Sequence, residues 1–281
     1  MTKLAERIKR IEDLLGYGVF EEAKAEYTKY NLNFSSDKER IEFLEKNPTS
    51  QYTLFFRDDI AFEVFRHIVM PDVFENIKNR KIQIASVGCS HGREPYSILL
   101  QNWGQRERTK IYGYDCNPEN INEARLGYFA GVNMRDLGNN FDLSFLSSKD
   151  SPFLIAKDLD IYSDVSFSDE AKKHMSFKVY DITKKSLDKK FDVISILNVL
   201  PHYTENGREI ILGNIFESLN ENGWLVCECS GDTKSVGGRQ FYVEWMNNLS
   251  RFGLQKQRVI IPWWGNPTSD MTYLSKVYRK I

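Results

Sequence analysis

Residues Gly88-Cys89-Ser90-His91-Gly92 put a serine and a histidine between two glycines in one short stretch. Three chemistries share that spelling. G-x-S-x-G is the strained elbow on which an α/β-hydrolase carries its nucleophilic serine. The same glycines resemble a shortened dinucleotide loop turning from a strand into a helix. The third use is a loop that cradles the amino-acid end of S-adenosylmethionine (SAM). A hydrolase wants a histidine late in the chain, after its acid, yet the histidines are His67, His91, His174 and His202. A dinucleotide site wants G-x-G-x-x-G, and Ser90 and Arg93 stand at the later positions. Asp115 ends the run TKIYGYD, where a carboxylate can accept both ribose hydroxyls of a nucleoside lying across strand ends. Asp-Cys-Asn-Pro is also good chemistry for starting a helix. His202 follows KFDVISILN at the end of a strand. There it is the obvious general base for an alcohol, phenol or amine, or else a polar loop residue without a catalytic role.

These residues need a scaffold, and the pattern from residue 82 onward alternates strands with helices, which favours a parallel sheet covered on both faces. IQIASVG reads as a strand and PYSILLQNW as the next helix; TKIYGYD is a second strand and PENINEARLGYF a helix with Pro118 in its first turn. MSFKVYD and KFDVISILN are further strands. REIILGNIFESLN is a helix closing at Asn222-Gly223, WLVCECSG a strand and QFYVEWMNNLSRFG a helix. QKQRVII and MTYLSKVYR then flank PWWGNPTSD. A nine-residue connection is too short for a right-handed crossover, so these two strands form an antiparallel hairpin. A parallel sheet closed by one antiparallel strand is the architecture of SAM-dependent methyltransferases, and it favours SAM over NAD. Trp263 and Trp264 in that turn either wall an acceptor or pack the hairpin tip. The Ser- and Asp-rich segment 130–174 is irregular. Residues 1–50 carry apolar residues at helical spacing, with Ser35-Ser36-Asp37 and Glu39 as a helix start, and read as a small helical domain ahead of a domain over 51–281.

Composition limits the function classes. In 281 residues, 38 basic and 39 acidic side chains give a formal net charge of −1, so no global field attracts nucleic acid. Apolar runs such as Val193 to Leu200 are strand-sized, which predicts no membrane insertion. The four cysteines lie in or beside strands, and neither a disulfide nor a zinc pair is expected among them. The reading is a soluble, reduced, cytoplasmic chain without a metal.

TLFFRDDIAFEVFRHIVMP (53–71), IASVGCSHGREPYSILL, YGYDCNPENINEARLGYF, KFDVISILNVLPHY and LNENGWLVCECSG resemble, in order, successive blocks of the CheR-type protein-glutamate methyltransferases. The likeness covers roughly residues 50 to 281, and T-x-F-F-R and G-x-E-P-Y-S are its most specific parts. It implies a seven-stranded Rossmann-like SAM domain behind helices, using SAM and releasing S-adenosylhomocysteine. It also implies a small β-subdomain for partner contact where 130–174 reads as irregular; a lid or surface loop is the other reading. Carried over, Thr53 and Arg57 reach the cofactor; Glu94 meets its ammonium group and Asp115, followed by Cys116, its ribose. Asp181 and Ile182 lie against the adenine, and Asn198 with Val199 matches the family's asparagine block, while Gly88, Cys89 and Ser90 form the loop. An arginine fork at Arg57 near the methyl group suits an anionic acceptor, or the residue pairs with Asp58 or Asp59. Arg93 and Leu197 depart from the family's glutamate and arginine. His202 takes the place of its tyrosine, with Tyr203 next, which makes Arg57, His202 and Tyr203 the catalytic candidates. SAM binding survives these changes. The acceptor is an oxygen, carboxylate or amine of a protein or small molecule. A module that binds SAM or its product without methylating is the alternative.

Overall fold

The computed structural model describes residues 53–57, 59–134, 150–155, 162–227, 253–256 and 277–280, with Ser36, Glu39, Glu42 and Leu137 as isolated positions. Helix α1 (Asp59–Val64) runs through a π turn, Phe65–Val69, into α2 (Met70–Asn76). Strand β1 (Ile82–Val87) leads to α3 (Arg93–Gln101), a 3-10 turn (Trp103–Arg108), β2 (Thr109–Asp115) and α4 (Pro118–Leu126). Then come β3 (Tyr128–Asn133), β4 (Phe153–Ile155), β5 (Tyr162–Phe167), α5 (Asp169–Lys173) and β6 (Met175–Val179). The rest is β7 (Phe191–Ile196), a 3-10 turn (Leu200–His202), α6 (Glu205–Ser218), β8 (Leu219–Cys227), β9 (Leu254–Lys256) and β10 (Val277–Lys280).

Seven strands form one sheet in the order β6-β2-β1-β7-β8-β10-β9. β6, β2, β1, β7 and β8 pair in parallel, while β10 is antiparallel to both β8 and β9. The antiparallel closure expected from the short final connection is therefore present. Both sheet faces are covered, which is why β7 is buried at all six residues and reads as a nearly continuous apolar run. Alternation divides the core: Ile82, Ile84 and Val193 pack with Phe62, Phe65, Ile98 and Leu99 on one face. Ala85, Val87 and Ile194 pack with Ile211, Leu212 and Ile215 on the other.

Segment 130–174 carries β3, β5 and β4 as a separate antiparallel three-stranded sheet, so its described part is built structure and not loop. The expected helix 118–129 stops at Leu126, because Gly127 adopts the left-handed conformation (φ +62°) and releases Tyr128 into β3. A Cβ at Gly127 would lie 2.6 Å from the Tyr96 hydroxyl, so the cap is also a close contact. Helix α6 likewise ends at Ser218, ahead of the anticipated cap. Asn222 (φ +60°) and Gly223 instead fall within β8, where the pairing with β7 shifts between Phe191 and Val193. In the N-terminal region Ser36 Oγ accepts the Glu39 N–H at 3.4 Å, and Glu39 and Glu42 are helical. The rest of residues 1–50, Asp58's placement, the expected helix 240–253 apart from its last residue, and the turn with Trp263 and Trp264 lie outside the described residues.

Candidate functional site

In a parallel sheet the carboxyl ends of the strands share one edge, and ligands bind there. The ends of β1, β2, β6 and β7 bring Gly88–Ser90, Asp115–Cys116, Asp181–Ile182 and Asn198–Val199 to that edge. The loop after β1 is stapled to its neighbour: the N–H groups of Gly88 and Cys89 both donate to the Tyr114 carbonyl, at 2.8 and 3.0 Å. Gly88 sits at φ +71°, and a Cβ there would lie 2.4 Å from Val199 Cγ2, so glycine lets the β1 and β7 loops meet. Among the described residues four non-glycine positions have positive φ, and three of them, Phe56 (+50°), Ser90 (+48°) and Asn198 (+57°), fall in segments singled out from the sequence. Backbone strain of this kind concentrates at functional sites.

Asp115 organises the loop. Its Oδ2 accepts the Ser90 N–H at 2.9 Å, and its Oδ1 accepts the Asn117 N–H at 2.9 Å and the Asn120 side-chain amide at 3.2 Å. A carboxylate offers about four acceptor positions, so beside its partners among the described residues one remains, on Oδ2, where a hydroxyl can donate. Burial raises its pKa, against the opposing pull of those three N–H donors and His91. Glu94, in the first turn of α3, accepts the buried Ser86 hydroxyl at 3.0 Å. Cys89 is buried close to both acids; burial first, then the Asp115 and Glu94 charges, push its thiol well up. Burial and the charges of Asp115 and Asp181 raise Cys116 as well, so neither thiol is a nucleophile at neutral pH. Burial opposes ionisation of Asp181, but the Thr183 hydroxyl (2.5 Å) and Lys184 (3.0 Å) outweigh it and hold the carboxyl below its usual range. Ile182 is buried beside it.

The T-x-F-F-R segment reaches this edge through α3. The Phe56 N–H donates to Ser97 Oγ at 3.0 Å, and Ser97 Oγ donates to the Arg93 carbonyl at 2.8 Å. Phe55 packs edge-on against Phe129 at 5.0 Å, and the Arg93 guanidinium covers that same ring at 5.1 Å. Thr53 is half-buried and Arg57 exposed beyond the Phe56 kink. Arg93 thus joins the aromatic cluster of the three-stranded sheet. Sequence reasoning misses Ser86 and Ser97; each is a polar residue inside an otherwise apolar buried run, and that is the available signal.

On the far side of the edge His202 is half-buried and closes the short turn, its N–H donating to the Val199 carbonyl at 3.1 Å. Tyr203 is 6% exposed, and its phenol is raised well above the usual value by burial and then by Cys116, Asp181 and Asp115. It is therefore a neutral hydroxyl facing the acids of β2 and β6. Ser90 Oγ and His91 Nδ1 stand 3.4 Å apart and His91 Nε2 lies 3.7 Å from Glu123, a string too loose for an activated nucleophile. That geometry does not support the hydrolase reading. The remaining set fits SAM: a glycine loop, one carboxylate for an ammonium group and another for a ribose hydroxyl.

The family model of the CheR methyltransferase SAM-binding domain matches residues 51–243. The chain belongs to this family. CheR proteins draw on SAM, and this chain is a SAM-dependent methyltransferase of that type. A chemotaxis protein methyltransferase of Borreliella burgdorferi is 26% identical over 76% of this chain and 75% of its own length. A putative methyltransferase, Cher3, of Pseudomonas putida is 30% identical over 61% of each chain. The match thus spans less than two thirds of the Pseudomonas relative. A solved TehB-like SAM-dependent methyltransferase from Corynebacterium glutamicum aligns over 79% of this chain and 87% of that one, at 18% identity and a TM-score of 0.41. The CheR relatives named here are methyltransferases, which does not favour the binding-only module. Among the described residues no helix is long and apolar enough to cross a membrane.

Proposed function

We propose that this CheR-type enzyme methylates a carboxylate oxygen on a protein side chain. Tyr203 carries the reading. Its phenol stays protonated, held by burial and then by the neighbouring Cys116, Asp181 and Asp115, so it serves as no base. A carboxylate acceptor needs no base because it is ionised at neutral pH. Arg57, exposed beyond the strained Phe56, offers a planar fork that pairs with such an acceptor. Several relatives are chemotaxis protein methyltransferases, which supports the same reading.

In this reading Glu94 takes the ammonium end of SAM, Asp115 a ribose hydroxyl through its free Oδ2 position, and Asp181 with Ile182 the adenine. Gly88, Cys89 and Ser90 supply the loop, Cys116, Asn198 and Val199 flank it, and Thr53 and Arg57 close it from the docked N-terminal segment. SAM supplies an electrophilic methyl group on a sulfonium. The protein's part is positioning, since holding two reactants in near-attack geometry removes much of the barrier. His202 orients the acceptor and takes no proton. Residues 51–281 would form this catalytic domain behind a helical segment 1–50, in the reducing cytoplasm and without nucleic acid. Among the described residues Cys89, Cys116 and Cys227 form no disulfide.

Methyl-labelled SAM incubated with the enzyme and a protein fraction tests this. A carboxyl methyl ester releases volatile methanol in mild alkali, whereas methyl ethers and methylamines do not. Alkali-stable label in protein, or label confined to small molecules, would overturn the proposal.

A further inference from the structure

At the opposite edge of the sheet, where β2 and β6 begin, three side chains converge outside the site described above. Glu107 lies in the last part of the 3-10 turn before β2, and Glu170 and His174 are four residues apart on α5 and its C-terminal cap, just before β6. His174 is 3% exposed, and its Nε2 has no hydrogen-bond partner among the described residues. That nitrogen faces Glu107 Oε1 at 3.4 Å and Glu170 Oε1 at 3.6 Å. All three ligand atoms lie within 4.8 Å of one another.

We propose that Glu107, Glu170 and His174 form a binding site for a divalent transition-metal cation of the zinc(II) class. The spacing carries the argument. Zinc–nitrogen and zinc–oxygen bonds run about 2.0–2.2 Å, so two ligands in tetrahedral arrangement on one ion stand roughly 3.4 Å apart. The imidazole–carboxylate separations have that value and make no hydrogen bond. A buried ring nitrogen without a hydrogen-bond partner among the described residues is costly, and a bound cation would supply that partner. The carboxylates are already oriented towards such an ion. Lys173 holds Glu170 through Oε2 at 2.8 Å, and Lys81 lies 3.8 Å from Glu107 Oε2. Each Oε1 is left facing His174. Partners of this kind aim ligands in metal sites. Both glutamates are exposed, so their side chains can draw inward, and water can complete the shell.

The linear sequence shows no metal pattern here because the third ligand belongs to another element. β2 has seven residues, which at about 3.3 Å each puts the site some 20 Å from the SAM edge. The metal would be structural: it would tie α5 and the turn before β2 together at the outer end of the β6–β2 pair.

Full-length protein stripped with a chelator, then titrated with cobalt(II) and with zinc(II), tests the site. Cobalt should bind at one equivalent with visible d–d bands and no thiolate charge-transfer band, which separates this site from the cysteines. Zinc should raise the melting temperature in a concentration-dependent way. Glu107→Gln and Glu170→Gln should each weaken metal binding by at least about tenfold, the scale on which even outer-shell partners act. Both variants should bind S-adenosylhomocysteine like the parent, which shows that they fold. Absence of saturable binding, equal affinity in both variants and the parent, or a thiolate band surviving in them would each overturn the proposal.

Discussion

Replacing Gly88 by alanine perturbs the SAM loop at a defined point. Gly88 has φ +71°, and its added Cβ would stand 2.4 Å from Val199 Cγ2. Two costs follow. An L-residue in the left-handed region loses about 1–2 kcal/mol, and forcing a methyl into packed surroundings costs roughly 1–3 kcal/mol. Val199 cannot easily swing away, because its β-branched side chain has few rotamers and it belongs to the buried cluster with Ile196 and Leu200. The loop must move, and it carries the Ser90 N–H to Asp115 and the Gly88 and Cys89 N–H groups to Tyr114. Gly88→Ala should therefore lower urea stability by about 2–5 kcal/mol and weaken S-adenosylhomocysteine binding at least about tenfold, each factor of ten being 1.4 kcal/mol. Calorimetric titration and urea melts measure both. Combining Gly88→Ala with Val199→Ala removes the steric part and leaves the backbone part, so the cycle should show a favourable coupling of about 1–3 kcal/mol. A single variant that binds like the parent, or a cycle without coupling, would refute the claim that contact between the β1 and β7 loops shapes the site.

Asp115→Asn keeps the shape but turns an acceptor into a donor beside three N–H groups. It should cost about 1–3 kcal/mol in cofactor affinity and a similar amount in stability, read by titration and melting. His202→Gln should leave kcat within about tenfold and the pH profile unchanged. A loss of roughly 10²–10⁴ together with a missing limb near the histidine pKa would instead make His202 a base and the acceptor an alcohol, phenol or amine. Asp192 is 3% exposed and accepts from Arg80 at 2.6 Å through both oxygens, from the Gln83 N–H at 2.9 Å and from Asn220 at 2.7 Å. Burial opposes its charge, but these donors outweigh it and lower its pKa. Its stabilisation is therefore full above the ordinary aspartate value near 4 and is lost as pH falls through the lower folded value. Asp192→Asn should cost about 2–3 kcal/mol at neutral pH, discounted because Arg80 is half exposed, and should flatten the acid limb of the urea-stability profile.

Much of the architecture was legible because it depends on short-range rules. The apolar runs IQIASV and FDVISI can only be strands buried on both faces, and the nine-residue final connection forbids a parallel crossover. Glycines at 88 and 92 and a carboxylate at 115 likewise pointed to a candidate ligand edge through residue type and spacing, and the acid in G-R-E-P-Y-S did so through the family resemblance. Helix ends were less legible. Helical periodicity extends past Gly127 through Tyr128 and Phe129, and only the three-stranded sheet that captures those residues reveals the cap. What one residue does to another distant in sequence was not legible at all. The Ser97 hydroxyl holding Phe56, Arg93 lying on Phe129, Tyr203 kept neutral by Cys116, Asp181 and Asp115, and His174 aimed at Glu107 each join separate elements. Propensity and periodicity act over a few neighbouring residues, whereas burial, hydrogen-bond partners and charge environment are set by which surfaces the fold presses together. Apolar runs, spacing and connection length were enough for the sheet and its closing strand, and they marked a candidate ligand edge. The tertiary structure decided which of the residues at that edge remain charged, which are already engaged, and which one keeps an acceptor position free.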